Sequence, residues 1–513
     1  MSDSATPQKP TSEKPSASSE ADAQTAHQAG VLAVGQILAT LIETIAPLVI
    51  VRILGKADVG VLTALLLINT TLTMVLTVGL PGTLAFHLPG RASGERRTIV
   101  VKMGLLLLAL GGGVALCQLT IAGLSWSGVL DTEVKLYYLV ALVGLPLGDL
   151  PMRMLPNMLI VEGRDRAAAS TSIIRSLGMS LGTLIPLALG ADVWTVMLVL
   201  SGLGVVYLVL TFAYSAFVYR GVAPTPTSMT TGGLIRFAVP IGLTELVSNI
   251  NNRFDRFLII PLGAVALAEY NAGSWQVPVV PSLAYAVGVA YGPRFATLFK
   301  ENRLRDAVAL WREQAKKTAL LVVPLCLVFV VAAEETVTLL FTADYLDGAS
   351  VLRLYALMTM GRITAFGTIL VAAGRPAFVL RSALIAFGAN VVISVPLVML
   401  IGFNGPALGT LLAFVVMVAG YTWHIGRVAD VPFRQVFPLG AWLRVVLTAL
   451  PAVALAAAFK LFVETGPVLG LAGQAAIILV GYAITATLTG LVSAEEWRFL
   501  RRYLLLRLNR DAS

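Results

Sequence analysis

The chain has 513 residues, 57% of them hydrophobic and only 13% charged, about half the charged share of a soluble protein. That balance excludes an ordinary water-soluble domain. The two cysteines, Cys117 and Cys326, both fall in apolar runs and exclude a disulfide framework or a cysteine-built metal site. The formal net charge of +9 would suit a nucleic-acid binder, but the placement of the cations gives it another meaning.

Residues 1–27 are rich in Ser, Ala and Pro and lack aromatics. They cannot bury enough apolar surface to fold, which predicts a disordered tail. No basic segment, apolar core and small-residue cleavage site precede the first apolar run, so no signal peptide is expected. From there apolar runs of about 20 residues recur to the end of the chain, each able to cross a hydrocarbon layer of roughly 30 Å. They fall at 28–51, 59–79, 99–125, 136–160, 168–189, 193–218, 233–260, 269–292, 316–341, 351–373, 378–401, 405–426, 440–461 and 468–491. Continuous runs of this length are unlike the alternating segments of about 10 residues that build an outer-membrane barrel. The expected fold is an all-α polytopic membrane protein of about fourteen transmembrane helices.

The loops between these runs alternate in charge. Arg91, Arg96 and Arg97 fall in the second, Arg164 and Arg166 in the fourth, and seven cations between Arg294 and Lys317 in the eighth. Arg498, Arg501, Arg502, Arg507 and Arg510 follow the last run, whereas the ninth loop is acidic. By the positive-inside rule both termini are cytoplasmic. The same pattern explains most of the positive charge without nucleic acid. Two basic segments are amphipathic: Leu304, Val308, Trp311 and Ala315 share one helical face, as do Trp497, Leu500, Leu504 and Leu508. Both are expected to lie on an anionic inner leaflet.

The first and second halves share landmarks. Leu54-Gly55 recurs as Leu262-Gly263, Arg153 as Arg362, Gly163-Arg164 as Gly374-Arg375 and Gly190 as Gly402, at an offset of roughly 210 residues. Each match lies at corresponding ends or depths of predicted spans. Six spans per repeat is even, so the halves run in the same sense about an axis near the membrane normal, with substrate expected between them. The chain therefore divides into an N-lobe at 28–218 and a C-lobe at 219–430. These are two pseudo-symmetric six-helix lobes around a central cavity. A helix pair at 431–491 and a basic amphipathic tail at 492–513 follow.

Three stretches carry a family resemblance. "VRILGKADVGVLTALLLI" (51–68) contains an R-x-L-G-x-x-D-x-G signature; "FAVPIGLTELVSNINNRFDRFLI" (237–259) has Pro near its start and Asp-Arg near its end. "AAGRPAFVLRSALIAFGANVVISVPLVMLIGFNGPALGT" (372–410) is similar to an eleventh span and its following turn. They resemble the Wzx-type lipid-linked oligosaccharide flippases of the multidrug/oligosaccharidyl-lipid/polysaccharide superfamily. Val59 stands where many members carry an aromatic residue, a departure that touches local packing. The resemblance implies a flippase of the bacterial inner membrane that moves an O-antigen or exopolysaccharide repeat unit on a polyprenyl-diphosphate carrier. It also implies working beside polysaccharide polymerase and glycosyltransferase machinery.

Charged residues inside apolar spans are costly and normally face a bundle interior or a wet path. Here they are Glu43, Asp149, Arg153, Arg175, Arg236, Glu245, Arg253, Asp255, Arg256 and Arg362. Asp149 and Arg153 are spaced to satisfy each other. Arg236 can snorkel to the inner surface. A guanidinium grips phosphate oxygens bidentately, so Arg153, Arg175 and Arg362 are the expected diphosphate ligands. Arg253, Asn252 and Asn249 belong to the polar stretch "SNINNRFDR" and are expected to line the outer cavity, with amides toward sugar hydroxyls. Glu43 and Glu245 are candidate ion-coupling residues. No nucleophile, metal or phosphate-loop arrangement emerges, so no catalysis and no cofactor are expected. The alternatives left open are a peptidoglycan lipid flippase, a cation-coupled drug exporter and an integral-membrane polymerase or ligase. A cavity for cationic drugs would favour Asp and Glu over Arg.

Overall fold

The computed structural model describes residues 17–492 apart from 131, 276–290, 292–293, 296, 365 and 374–375. Helix is the only extended regular structure among the described residues. In chain order the helices are α1 (Ala17–Ile53), α2 (Lys56–Thr77), α3 (Ser93–Trp126), α4 (Gly144–Met152), α5 (Leu155–Val161), α6 (Asp165–Ala188), α7 (Val193–Val218), α8 (Thr231–Ile259) and α9 (Ala264–Gly273). Then come α10 (Leu304–Val331), α11 (Ala333–Phe341), α12 (Gly348–Met360), α13 (Phe366–Ala372), α14 (Pro376–Ile401), α15 (Gly405–Ala429), α16 (Leu439–Phe462) and α17 (Pro467–Leu488). Among the described residues nine helical stretches are long and apolar enough to cross a membrane, and one of them, Ala377–Ala429, holds both α14 and α15. Two bent pairs raise the count to eleven. The chain is a multi-pass membrane protein; residues 276–290 of the expected eighth span and 493–513 of the expected basic tail lie outside the described residues.

α1 starts at Ala17, earlier than the apolar run, and takes in part of the segment expected to be disordered. Ala17, Ala21, Ala23 and Ala26 are strong helix formers, and extending a helix already nucleated in the membrane avoids the cost of starting one. α7 shows how a span is oriented. Gly204, Tyr207, Thr211 and Ser215 are buried, whereas Val205, Val206, Val209 and Leu210 are exposed. Lipid is as apolar as those valines, so small and hydrogen-bonding residues take the inward face. α17 repeats the pattern with Gly470, Gln474, Ile478, Tyr482 and Ala486 buried at every fourth position.

The chain clusters into two compact units. Among the described residues, one comprises those within 1–47, 80–115 and 142–235, the other those within 48–79, 116–141 and 236–513. In the first, α4 packs on α7 at backbone distance: a Cβ on Gly148 would collide with the carbonyl of Gly204, and one on Gly204 with that of Gly144. In the second, α14 and α15 form an antiparallel hairpin, with Gly405 against Leu397 and Gly409 against Ser394. The same unit brings the start of α2 onto α9, where Gly60 abuts Ala264 and Lys56 pairs with Glu269 at 2.7 Å.

One expectation is overturned here. The amphipathic segment from Leu304 does not lie on a leaflet with its apolar face in lipid. It is the first half of the 28-residue α10. Val308, Trp311 and Ala315 are covered by protein, with Trp311 0% exposed and edge-on to Phe366 at 5.9 Å. A tryptophan that finds an aromatic partner inside the bundle gains more contact than it would at a headgroup layer.

Candidate functional site

Two of the expected spans, 136–160 and 351–373, are interrupted at an arginine. At 136–160 a short 3-10 turn, Leu136–Leu142, meets α4–α5 at 58°. Arg153 then caps α4, just before α5. Pro156, at the second position of α5, has no N–H to continue the preceding ladder. In the other unit α12 ends at Met360 and α13 begins at Phe366, with Gly361 and Arg362 opening the five-residue break between them. Gly361 has a packing reason: a Cβ there would lie 2.7 Å from the Phe414 ring, so only glycine lets that ring approach.

Within the first unit the intramembrane charges form a continuous chain. Arg153 donates from Nε and Nη2 to Oδ2 of Asp149 at 2.9 and 2.8 Å. Arg175 donates from Nη1 to Oδ1 of the same carboxylate at 3.1 Å, and from Nη2 to Glu43 at 3.4 Å. Ser176 donates to Glu43 at 2.7 Å, and Tyr207 to the carbonyl of Arg175 at 2.9 Å. Asp149 is 3% exposed, and a carboxylate so buried persists only when paired and hydrogen-bonded. The expected Asp149–Arg153 pair is present, and Arg175 joins it across helices. Two cations and two anions leave this chain formally neutral. Glu43 is its most exposed member, with 51% of its side-chain surface open.

The second unit holds a different arrangement. A cavity of about 140 Å³ is lined by Ser248, Asn251 and Asn252 of α8, by Tyr355, Met358 and Arg362, by Val379, Ala383 and Ala386 of α14, and by Thr410, Ala413, Phe414, Met417 and Tyr421 of α15. Among the described residues, Arg362 is the lone cation of that lining and no carboxylate lines it. Its guanidinium carbon sits 5.7 Å from the centre of the Phe414 ring, and Arg362 makes no ion pair among the described residues. An aromatic face steadies a cation but does not neutralise it. The cavity is smaller than the roughly 300–1,000 Å³ of drug-sized sites, so it suits a compact group rather than a whole glycan. Chemically it offers one fixed positive charge, amides and hydroxyls, and an apolar floor. Such a lining has the chemistry to hold an anion rich in acceptor oxygens.

The polar stretch of α8 is held in the bundle by neutral partners as well as charges. Asn249 donates to the carbonyl of Glu245 at 2.9 Å. Asp255 is 1% exposed, accepts from the Tyr270 hydroxyl at 3.1 Å and from the N–H of Arg256, while Arg256 donates to Ser274 at 3.3 Å. Arg253 is half-buried, Asn252 exposed at the cavity and Glu245 exposed. Asn251, which lines the same cavity, and Asn390, which bonds to it at 3.1 Å, were missed among the expected site residues. A lone asparagine in the apolar run "SALIAFGANVVIS" was the available signal.

Residues 26–299 match the family described as polysaccharide biosynthesis protein. The chain belongs to that family. Two of the three stretches that carried the resemblance, 51–68 and 237–259, fall within the matched residues, and the third lies beyond them. The fold matches that of solved transporters. The lipid II flippase MurJ, in an inward closed conformation, superposes with a TM-score of 0.66 at 12% identity, covering 89% of this chain and 98% of that one. An inward-facing multidrug resistance MATE family transporter of the multidrug/oligosaccharidyl-lipid/polysaccharide superfamily superposes at 0.56 and 19% identity, covering 77% and 95%. No curated protein sequence matches the chain. These two transporters thus share its architecture.

Proposed function

We propose that the chain is a flippase that carries a polyprenyl-diphosphate-linked oligosaccharide across the bacterial inner membrane by alternating access. The observation that carries this reading is Arg362: a cation in a compact cavity with amide and hydroxyl neighbours and no counter-ion among the described residues. A diphosphate supplies the missing negative charge, and its polyprenyl tail can remain in lipid. Family membership supports the polysaccharide side of the reading. In it Arg153 and Arg175 form a second headgroup contact, engaged when substrate oxygens compete with Asp149. Arg253, Asn252 and Asn249 meet sugar hydroxyls, and Glu43 and Glu245 remain the ion-coupling candidates. The repeat divides the transporter into lobes at 28–218 and 219–430 that rock about the substrate, with 431–491 outside them. None of this requires catalysis.

The closer superposition on MurJ favours a second reading, a lipid flippase for a peptidoglycan precursor. The two readings share the diphosphate and differ in the sugar. Deleting the gene separates them: the glycan that accumulates on its lipid carrier in the inner leaflet is the substrate. Accumulation of an O-antigen or exopolysaccharide unit is expected; accumulation of a peptidoglycan precursor would select the second reading, and no accumulated lipid-linked glycan would refute both.

The proposed topology has its own test. In a background lacking Cys117 and Cys326, cysteine at Glu313 is expected to resist an impermeant thiol reagent in spheroplasts, whereas cysteine at the exposed Asp344 is expected to react. The opposite labelling would invert the assignment of both termini to the cytoplasm.

A further inference from the structure

Behind the wall of the Arg362 cavity runs a short polar relay. Asn390 of α14 is 0% exposed, as is Ser394 one turn on. The Oδ1 of Asn390 accepts from the Ser394 hydroxyl at 2.6 Å and from the Thr410 hydroxyl of α15 at 3.3 Å. With that oxygen engaged twice, the amide nitrogen is directed to α8, where it donates to Oδ1 of Asn251 at 3.1 Å. Phe254 and Phe387, edge to face at 5.6 Å, hold the two helices together beside this bond. Asn251 in turn lines the cavity that Arg362 lines. An amide has one oxygen and one NH₂. With its oxygen turned back to Asn390, the Asn251 amide has its NH₂ as the end left to offer.

We infer that Asn390 is a positioning residue that presets Asn251 as a hydrogen-bond donor into the Arg362 cavity, so that the cavity selects phosphate oxygens. The inference rests on the headgroup reading above and deepens it. Two hydroxyls on two helices decide which end of Asn390 points forward, and Asn390 decides which end of Asn251 does. Left free, the Asn251 amide could present its oxygen, which would repel an anion and welcome a cation or a hydroxyl donor. Locked, it adds a second donor beside the guanidinium. A phosphate oxygen accepts from both at once. The relay contains no titratable group, so its preference is independent of pH.

The test is a double-mutant cycle read by binding. Purified full-length protein in detergent is titrated with a polyprenyl diphosphate. Asn251→Ala is expected to weaken binding about tenfold, as is Asn390→Leu, the loss of a hydrogen bond to a charged group being of that order. If Asn390 acts only through Asn251, the double variant binds no more weakly than Asn251→Ala alone. Multiplying losses would mark Asn390 as a general packing residue, and unchanged binding by Asn390→Leu would also overturn the inference. Should Asn390→Leu fail to insert, Ser394→Ala frees the relay with a smaller change, and the same cycle applies. Arg362→Ala keeps the two levels apart. If it binds the probe like wild type, the headgroup reading itself falls. If it loses binding while both asparagine variants keep it, only the relay falls. Repeating the cycle with inorganic pyrophosphate should give the same pattern at lower affinity; a pattern confined to the lipid would place the Asn251 contact away from the phosphates and overturn it.

Discussion

Asp149→Ala is expected to deplete correctly inserted protein more than any other single substitution in the first unit. Asp149 takes three guanidinium N–H groups, two from Arg153 and one from Arg175. Removing it leaves two cations facing each other with only Glu43, itself bonded to Arg175 and Ser176, as counter-charge. Breaking a buried pair by removing one partner costs about 3–5 kcal/mol, most of it the stranded charge. Asp149→Asn keeps the shape and one acceptor oxygen, so its loss should be smaller and in the same direction. Relief should come from removing the stranded cation: Asp149→Ala combined with Arg153→Leu is expected to be more stable than Asp149→Ala alone. Thermal unfolding in detergent, with the yield of membrane-inserted protein beside it, measures both. Equal stability of Asp149→Ala and wild type would mean that the arginines find their counter-charge elsewhere.

Much of the scaffold could be read from the chain, and the reasons are local. Apolar runs such as 193–218 and 440–461 became α7 and α16 because a span must satisfy its own backbone, and helix is the single-segment way to do so. The Asp149–Arg153 pair was legible because an i,i+4 spacing puts both ends on one face. Its extension to Arg175 was not, since that contact joins residues 26 positions apart on different helices. The breaks at Arg153 and Arg362 were hidden for a related reason. Hydropathy averages over about 19 residues and passes smoothly over Gly361, whose role depends on the Phe414 ring against it. The apolar face of Val308, Trp311 and Ala315 was read correctly as a face but given the wrong partner. A periodic stripe records that something covers it, and protein and lipid leave the same record. Asn390 escaped notice because a neutral amide carries no charge to flag it, though its burial makes each of its bonds consequential.

Arg362→Ala is expected to have the largest effect on transport. Its loss removes the cavity's cation without stranding a carboxylate, because Arg362 makes no ion pair among the described residues. Folding should therefore be nearly unaffected while substrate binding fails. A hydrogen bond to a charged group is worth about 1.5–3 kcal/mol, so binding should weaken about ten- to hundredfold. Arg362→Lys keeps the charge but loses the planar fork and its stacking on Phe414, which predicts an intermediate loss. The contrast with Asp149 separates the two halves of the account: one substitution depletes the protein, the other leaves well-folded protein that cannot hold its cargo.

The decisive measurement is translocation in proteoliposomes. A polyprenyl-diphosphate-linked oligosaccharide, loaded on one leaflet, is followed to the other by its access to an impermeant lectin. Wild-type protein is expected to move it, Arg362→Lys to move it slowly, and Arg362→Ala to move less than about a tenth as much. Wild-type rates from Arg362→Ala, with unfolding temperature unchanged, would contradict the assignment of that cavity to the diphosphate headgroup.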